Sequence, residues 1–317
     1  MSYPIGTPGT PWEQAERDQW RNIQSVKRSY HEQVIEKIDV LLELHNLTQY
    51  GALSYDTERY PLWVIRSKSW DDNKPNVLVT GGVHGYETSG VQGAIKFAAT
   101  EMVKYQEQFN FVVFPCISPW GYETINRWNP NADDPNRSFY PDNKAGATKV
   151  EESSRVRDFI EDLGLEFVAH FDLHETTDTD NSEFRPALSA RDAKEQFSWN
   201  IPDGFYGVGD SERPATEFQA AIIASVAQVT HIAPADENGQ LIGSPMTQFG
   251  VINYPCKKLG LCAGLTDAPF VTTTEVYPDS PKVDDENCIQ AQVAAIVGGL
   301  NYIIANAKLF NAGGRCQ

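Results

Sequence analysis

Residues 76–90 (NVLVTGGVHGYETSG) constrain this chain more than any other stretch. An apolar β-type run, Val77-Leu78-Val79-Thr80, stops at two glycines, and a helix-like segment begins after Glu87. A buried strand turning through glycines into a helix is the building unit of an α/β fold. His84 and Glu87 stand in that turn three residues apart, close to one helical turn, so their side chains can converge on one point. A neutral imidazole and a carboxylate are two of the usual protein ligands of catalytic zinc. The chain offers a third at His174, which closes His170-Phe171-Asp172-Leu173-His174.

Strand-like and helix-like segments alternate downstream. Apolar, β-branched runs predict strands over 109–117, 166–173 and 270–276, and helical spacing predicts helices over 89–104, 148–163, 214–229 and 284–310. Residues 11–46 read as helical and 49–69 as a hairpin. Residues 118–146 read as a long polar loop and 175–214 as an irregular acidic region, and the pocket walls are expected from 175–270. The alternation implies an α/β class with a largely parallel or mixed sheet. In such sheets sites lie beyond the carboxyl ends of the strands. His84 follows one strand end, His174 ends another, the 118–137 loop follows a third, and Glu275 ends a fourth.

Each candidate also has a plain structural reading. His84 and Glu87 could be a capping pair at a helix start. His174 could be a core histidine bonded to backbone, and Asp172 either orients a ligand imidazole or is a surface carboxylate. Glu275, in Thr272-Thr273-Thr274-Glu275, is costly at a hydrophobic strand end unless paired, and beside an activated water it would act as general base. Arg127, Asn136 and Arg137 in the polar loop suit an anionic substrate end or an oxyanion, or else tie the loop by surface salt bridges. A helical His170-x-x-x-His174 pair would bind zinc by itself, but the flanking residues favour a strand. His31, His45 and His231 have no polar setting that suggests ligation.

With 317 residues, the length suits one large α/β domain or two small ones, and 41% hydrophobic residues supply a core. The formal charge of -17 argues against nucleic acid or an anionic membrane as main partner. Five widely spaced cysteines, with no Cys-x-x-Cys pair, read as reduced thiols. The first residues lack a signal-peptide pattern and no run reads as a membrane span of about 20 apolar residues, so a soluble cytoplasmic protein is expected. Asp178, Asp180 and Glu183 read as a solvated loop, or as a site mouth favouring basic substrates.

GGVHGYE, Pro119-Trp120-Gly121 with Arg127 and Asn136-Arg137, the DLH ending at His174 and the TTTE ending at Glu275 together resemble the zinc carboxypeptidases of the carboxypeptidase A type. Aspartoacylase and succinylglutamate desuccinylase are their close relatives. The resemblance covers roughly residues 76–277 and lies in motifs. It implies a three-layer α/β/α sandwich around a mixed, largely parallel twisted sheet, with one catalytic domain over residues 1–317 carrying a helical and hairpin segment at 1–70. By that likeness His84, Glu87 and His174 bind one zinc ion and Glu275 is the general base. Arg127 polarises the scissile carbonyl, and Asn136 and Arg137 grip a free carboxylate. Tyr254 is the candidate for a tyrosine closing over the substrate. Three departures stand out: Ser118 where the carboxypeptidases often have Asn before the proline; the short spacing from Arg127 to Asn136 together with Asp134-Pro135-Asn136-Arg137, both closer to the deacylase and intracellular branches; and a closing tyrosine that the motifs do not fix. The implied activity is removal of a C-terminal residue. The alternatives are deacylation of an N-acyl amino acid and a non-catalytic metal- or peptide-binding protein on the same scaffold.

Overall fold

The computed structural model describes residues 3–140 and 149–307. Its strands, in chain order, are β1 (His45–Ala52), β2 (Pro61–Ser67), β3 (Asn76–Gly81), β4 (Asn110–Phe114), β5 (Phe167–Glu175), β6 (Tyr206–Asp210), β7 (Gln240–Leu241), β8 (Ser244–Pro245), β9 (Val251–Tyr254) and β10 (Phe270–Val276). Eight of them form one sheet in the order β1-β2-β4-β3-β5-β10-β6-β9, and β7 and β8 make a separate small hairpin. The centre, β4-β3-β5-β10, is parallel, whereas β1, β2 and β4 pair antiparallel, as do β10 and β6. The expected mixed, largely parallel sheet with helices on both faces is the observed architecture.

Side-chain alternation sorts the two faces. Ala169, Phe171 and Leu173 of β5 pack with Val77 and Val79 against one helical layer, built from the Thr88–Thr100, Thr216–Val226 and Asp285–Ala305 helices. Leu78, Val112 and Phe114 face the other layer, where the Glu151–Leu163 helix contributes Val156 and Ile160. His170, Asp172 and His174 therefore occupy one polar row on β5, opposite its apolar face, and all three are buried.

Several boundaries differ from the sequence expectation. The 11–46 helix is two pieces, Gln14–Asn22 and a mixed helical run from His31 to Glu43, and His45 already begins β1. The break is tertiary: the amides of Lys27 and Arg28 donate to the Glu123 carbonyl, and the Tyr30 amide donates to the Glu123 carboxylate. The 118–146 loop contains a helical turn, Pro119–Thr124, stopped by Ile125 in the left-handed region. The 175–214 region contains the Arg185–Asp192 helix and the whole of β6, and β9 was also unforeseen. Both strands are short, and β6 (YGVGD) carries two glycines that dilute its pattern. The start of the 148–163 helix and the end of the 284–310 helix, including Phe310, lie outside the described residues, as does Cys316. Cys116, Cys256, Cys262 and Cys288 are free and buried.

By length and composition the Asp285–Ala305 helix could cross a membrane, which the sequence reading did not anticipate. Here it packs on the Thr216–Val226 and Thr88–Thr100 helices.

Candidate metal centre

The turn after β3 is shaped by backbone contact. Gly82 takes a positive φ of 63°, and at Gly85 any Cβ would overlap the backbone of Gly121 and Tyr122. Arg28, from the N-terminal segment, clamps this turn: Nε donates to the Tyr122 carbonyl at 2.6 Å, and the other guanidinium nitrogens donate to Thr88 Oγ1 and the Gly85 carbonyl. Glu175, just past His174, accepts from the Thr88 and Ser89 amides and so ties β5 to the start of the Thr88–Thr100 helix. Burial pushes the Glu175 carboxyl up to about 7.

These contacts bring His84, Glu87 and His174 together, each with a donor atom within 4.8 Å of the others, and all buried. His84 Nδ1 lies 2.8 Å from Glu87 Oε1, and His174 Nδ1 lies 2.8 Å from Glu87 Oε2. The outer nitrogens are held by two further carboxylates, His84 Nε2 by Asp134 at 3.0 Å and His174 Nε2 by Asp172 at 2.9 Å. Donation of Nε2–H to a carboxylate leaves the Nδ1 lone pair of each ring turned inward, the arrangement typical of metal-bound histidine. Glu87 Oε2 fits no hydrogen bond, because its short contact with His174 Nδ1 lacks the required geometry. Two inward lone pairs and a carboxylate with an unbonded oxygen suit a divalent cation as their common partner. Burial opposes charge on His174, but Asp172 and Glu87 outweigh it and hold the imidazole well above its ordinary pKa; the inward lone pair is that of the neutral ring, and a bound cation would displace the Nδ1 proton of the charged one. Burial likewise pushes Asp172 up, and His174 outweighs that to leave its carboxyl at about 2.

A second group, His170, Asp172 and Cys262, is also close enough to hold an ion. Its centre is filled by the Thr80 hydroxyl, 2.7 Å from Asp172 Oδ1 and 2.9 Å from His170 Nε2, with Cys262 Sγ at 3.5 Å. This group is a hydrogen-bond hub beneath the centre.

Glu275 pairs in register with His174 across β5 and β10. Its Oε2 accepts from Thr176 Oγ1 at 2.8 Å, and Thr176 in turn contacts Tyr206 Oη at 2.7 Å. Burial pushes the Glu275 carboxyl up to about 8, and a cation held at the neighbouring centre would lower it toward the ionised form that can accept a proton. Arg127 is engaged on three sides, by Asp134 (3.2 Å), Tyr86 Oη (3.2 Å) and Asp180 (3.6 Å). Asn136 Oδ1 accepts the Cys262 amide at 2.7 Å, which leaves its Nδ2 to donate elsewhere. Arg137 is exposed and donates to the Asn136 carbonyl, while Tyr254 Oη accepts from Ser244.

All eight residues singled out in the sequence line one cavity of about 540 Å³. Asp180 lines it too, whereas Asp178 and Glu183 do not. Sequence reasoning met Asp134, which accepts the Asn136 amide in the manner of an Asx turn, only as the start of Asp134-Pro135-Asn136-Arg137 and missed its contact with His84. It also missed Thr176 and Tyr206, which carry no motif, and Arg28, which lies far upstream.

The fold is that of the metallo-carboxypeptidases. A candidate metallopeptidase from Shewanella amazonensis SB2B superposes with a TM-score of 0.64 at 18% identity, over 86% of this chain and 91% of that one. The metallo-carboxypeptidase from Burkholderia cenocepacia gives 0.58 at 16% identity, over 85% and 68%. The metallo-carboxypeptidase from Pseudomonas aeruginosa, solved with (2-guanidinoethylmercapto)succinic acid, gives 0.55 at 13% identity, over 86% and 68%. More particularly, residues 73–201 match the model of the succinylglutamate desuccinylase/aspartoacylase catalytic domain. The resemblance to the zinc-carboxypeptidase-like superfamily, desuccinylase relatives included, agrees with both findings. No curated protein sequence matches the chain.

Proposed function

We propose that this protein is a zinc-dependent metallocarboxypeptidase that hydrolyses the C-terminal peptide bond of a substrate with a free carboxylate. One observation carries the reading: two histidines and a glutamate from separate segments turn their donor atoms to a common centre, with a second, half-buried glutamate beside it. His84, Glu87 and His174 would hold the ion, with Asp134 and Asp172 setting the two imidazoles. A divalent ion held there supplies a Lewis acid that polarises a carbonyl and activates water.

Glu275 is the proton carrier. Thr176 fixes Oε2, and Oε1 has no protein partner among the described residues, so it can take a proton from water and return it to the leaving nitrogen. Arg127, immobilised by Asp134 and Asp180, presents a fixed positive charge to the oxygen on which negative charge develops. Asn136 Nδ2 and the exposed Arg137 guanidinium are the donors for the substrate's free carboxylate. Tyr254, which lines the same cavity, is the candidate to cover a bound substrate.

The match of residues 73–201 favours a second reading with the same residues, deacylation of an N-acyl amino acid. Reconstitution with zinc followed by a panel of C-terminally free peptides and N-acyl amino acids separates the two. Cleavage of the acyl amino acids alone rejects the carboxypeptidase reading, and turnover of neither class rejects both.

A further inference from the structure

The Asp285–Ala305 helix lays an apolar stripe into the core, and Gln292 interrupts it. Cys288 and Ile296 lie one turn to either side, four positions away, and all three side chains are buried, Gln292 completely. A buried amide is costly unless its hydrogen bonds are met. Each partner of Gln292 belongs to a segment that carries a residue of the candidate centre. Its Nε2 donates to the His174 carbonyl at 2.8 Å. The same nitrogen donates at 3.2 Å to Ser89 Oγ, in the first turn of the helix that follows Glu87. Its Oε1 accepts from Thr274 Oγ1, one position before Glu275, and Thr274 Oγ1 in turn accepts from the His174 amide at 3.4 Å.

These contacts are made from behind the site. Thr274 pairs with Leu173 and so projects to the apolar face of the sheet, whereas Glu275 and His174 project to the other. Gly93 provides the room, since a Cβ there would come within 2.6 Å of Gln292 Cβ. Glycine inside a helix is disfavoured unless something approaches closely, and at Gly93 Gln292 does so. A second glutamine makes the same kind of bracket elsewhere. Gln219, on the Thr216–Val226 helix, donates to the Val271 carbonyl at 2.8 Å and accepts from Thr272 Oγ1 at 2.9 Å. Its side-chain hydrogen bonds among the described residues go to β10 alone, whereas Gln292 grips β5, β10 and the helix after Glu87 at once.

We propose that Gln292 is a positioning residue: from the far face of the sheet it locks together the three segments that carry Glu87, His174 and Glu275, and so fixes the spacing of the ligand group and the acid. Gln292 does not line the cavity and acts only through those residues. The inference rests on the hydrolase reading for its kinetic arm, and its metal-binding arm is independent of turnover.

The test compares the two brackets. Gln292→Met keeps the length of the side chain and removes its three hydrogen bonds, and Gln219→Met removes the two at the control position. In Gln292→Met, chelator competition is expected to give about tenfold weaker zinc binding. The visible spectrum of the cobalt(II)-loaded protein is expected to change with it, because that spectrum reports ligand geometry. On whichever substrate the wild type cleaves, kcat is expected to fall about 10–100-fold with KM within about threefold. Gln219→Met is expected to lose thermal stability to a similar extent while keeping wild-type zinc affinity, cobalt spectrum and kcat. Wild-type values in Gln292→Met, or equal losses in both variants, overturn the proposal. Where Gln292→Met does not fold, Thr274→Val and Thr274→Ser take its place. Loss in the valine variant with recovery in the serine variant, which retains the hydroxyl, supports the bracket, and equal behaviour of the two overturns it. If the wild type binds metal but cleaves nothing, the hydrolase reading fails and the zinc and cobalt measurements decide alone. A wild type that binds neither metal removes the centre and overturns the proposal with it.

Discussion

His174 and Glu275 are cross-strand partners on the parallel pair β5 and β10, so the sheet register itself sets a half-buried acid beside a histidine of the metal-centre group. Paired positions on adjacent strands project to the same face, which fixes their spacing without any loop. Replacing Glu275 with Gln keeps the shape and the Thr176 contact but removes the proton acceptor. Turnover is expected to fall by about 10²–10⁴-fold with zinc content unchanged, measured by kcat and elemental analysis. A kcat within a few-fold of wild type removes Glu275 from the chemistry.

Asp172 holds His174 Nε2 from beneath and is itself held by Thr80. Asp172→Asn keeps the shape but weakens the acceptor, so zinc affinity is expected to drop about 10–100-fold in a chelator competition. His174→Ala, which removes a donor outright, is expected to leave the protein without stoichiometric metal after dialysis. Equal affinity in all three proteins contradicts the ligand assignment.

Glu152 is fully buried between Tyr55 Oη and Asn129 Nδ2, and burial raises its carboxyl above the ordinary 4.5. A carboxyl whose folded pKa is raised binds its proton more tightly in the folded state. Its stabilising contribution is therefore present at low pH and is lost as pH rises through the folded value. Glu152→Gln keeps a neutral partner at every pH. The stability of the variant relative to wild type is expected to grow between pH 5 and pH 8 in denaturant titrations, and a gap that stays constant refutes the assignment.

Gly85 touches the backbone of Gly121 and Tyr122, so an added methyl has no side chain to push aside. Gly85→Ala is expected to cost about 2 kcal/mol or more and to lower zinc affinity with it, since the turn carries His84 and Glu87. A variant of wild-type Tm would show that the turn can move.

The central strands and the convergence of His84, Glu87, His174 and Glu275 on one cavity were legible because parallel strands buried on both faces read as apolar runs, and polar residues at or just past their ends break those runs conspicuously. Thr274-Glu275 and Leu173-His174 are such breaks. β6 and β9 were not legible, because they are short and β6 is weakened by Gly207 and Gly209. The divided N-terminal helix was not legible either, since its break depends on Glu123, about a hundred positions later. Asp134 was visible as a residue but not as the partner of His84, a relation set only by the folded loop.

The clamp made by Arg28 has a consequence for how this molecule can be divided. Both Arg28 and Glu275 fall outside residues 73–201, the portion that matches a family model. A fragment trimmed to that portion would keep His84, Glu87 and His174 yet forfeit the tether across Gly85 and Tyr122 as well as the acid on β10. The folded unit is thus wider than its recognisable signature, and grafting the signature alone onto another protein would transplant an inventory of candidate ligands without the frame that aims them.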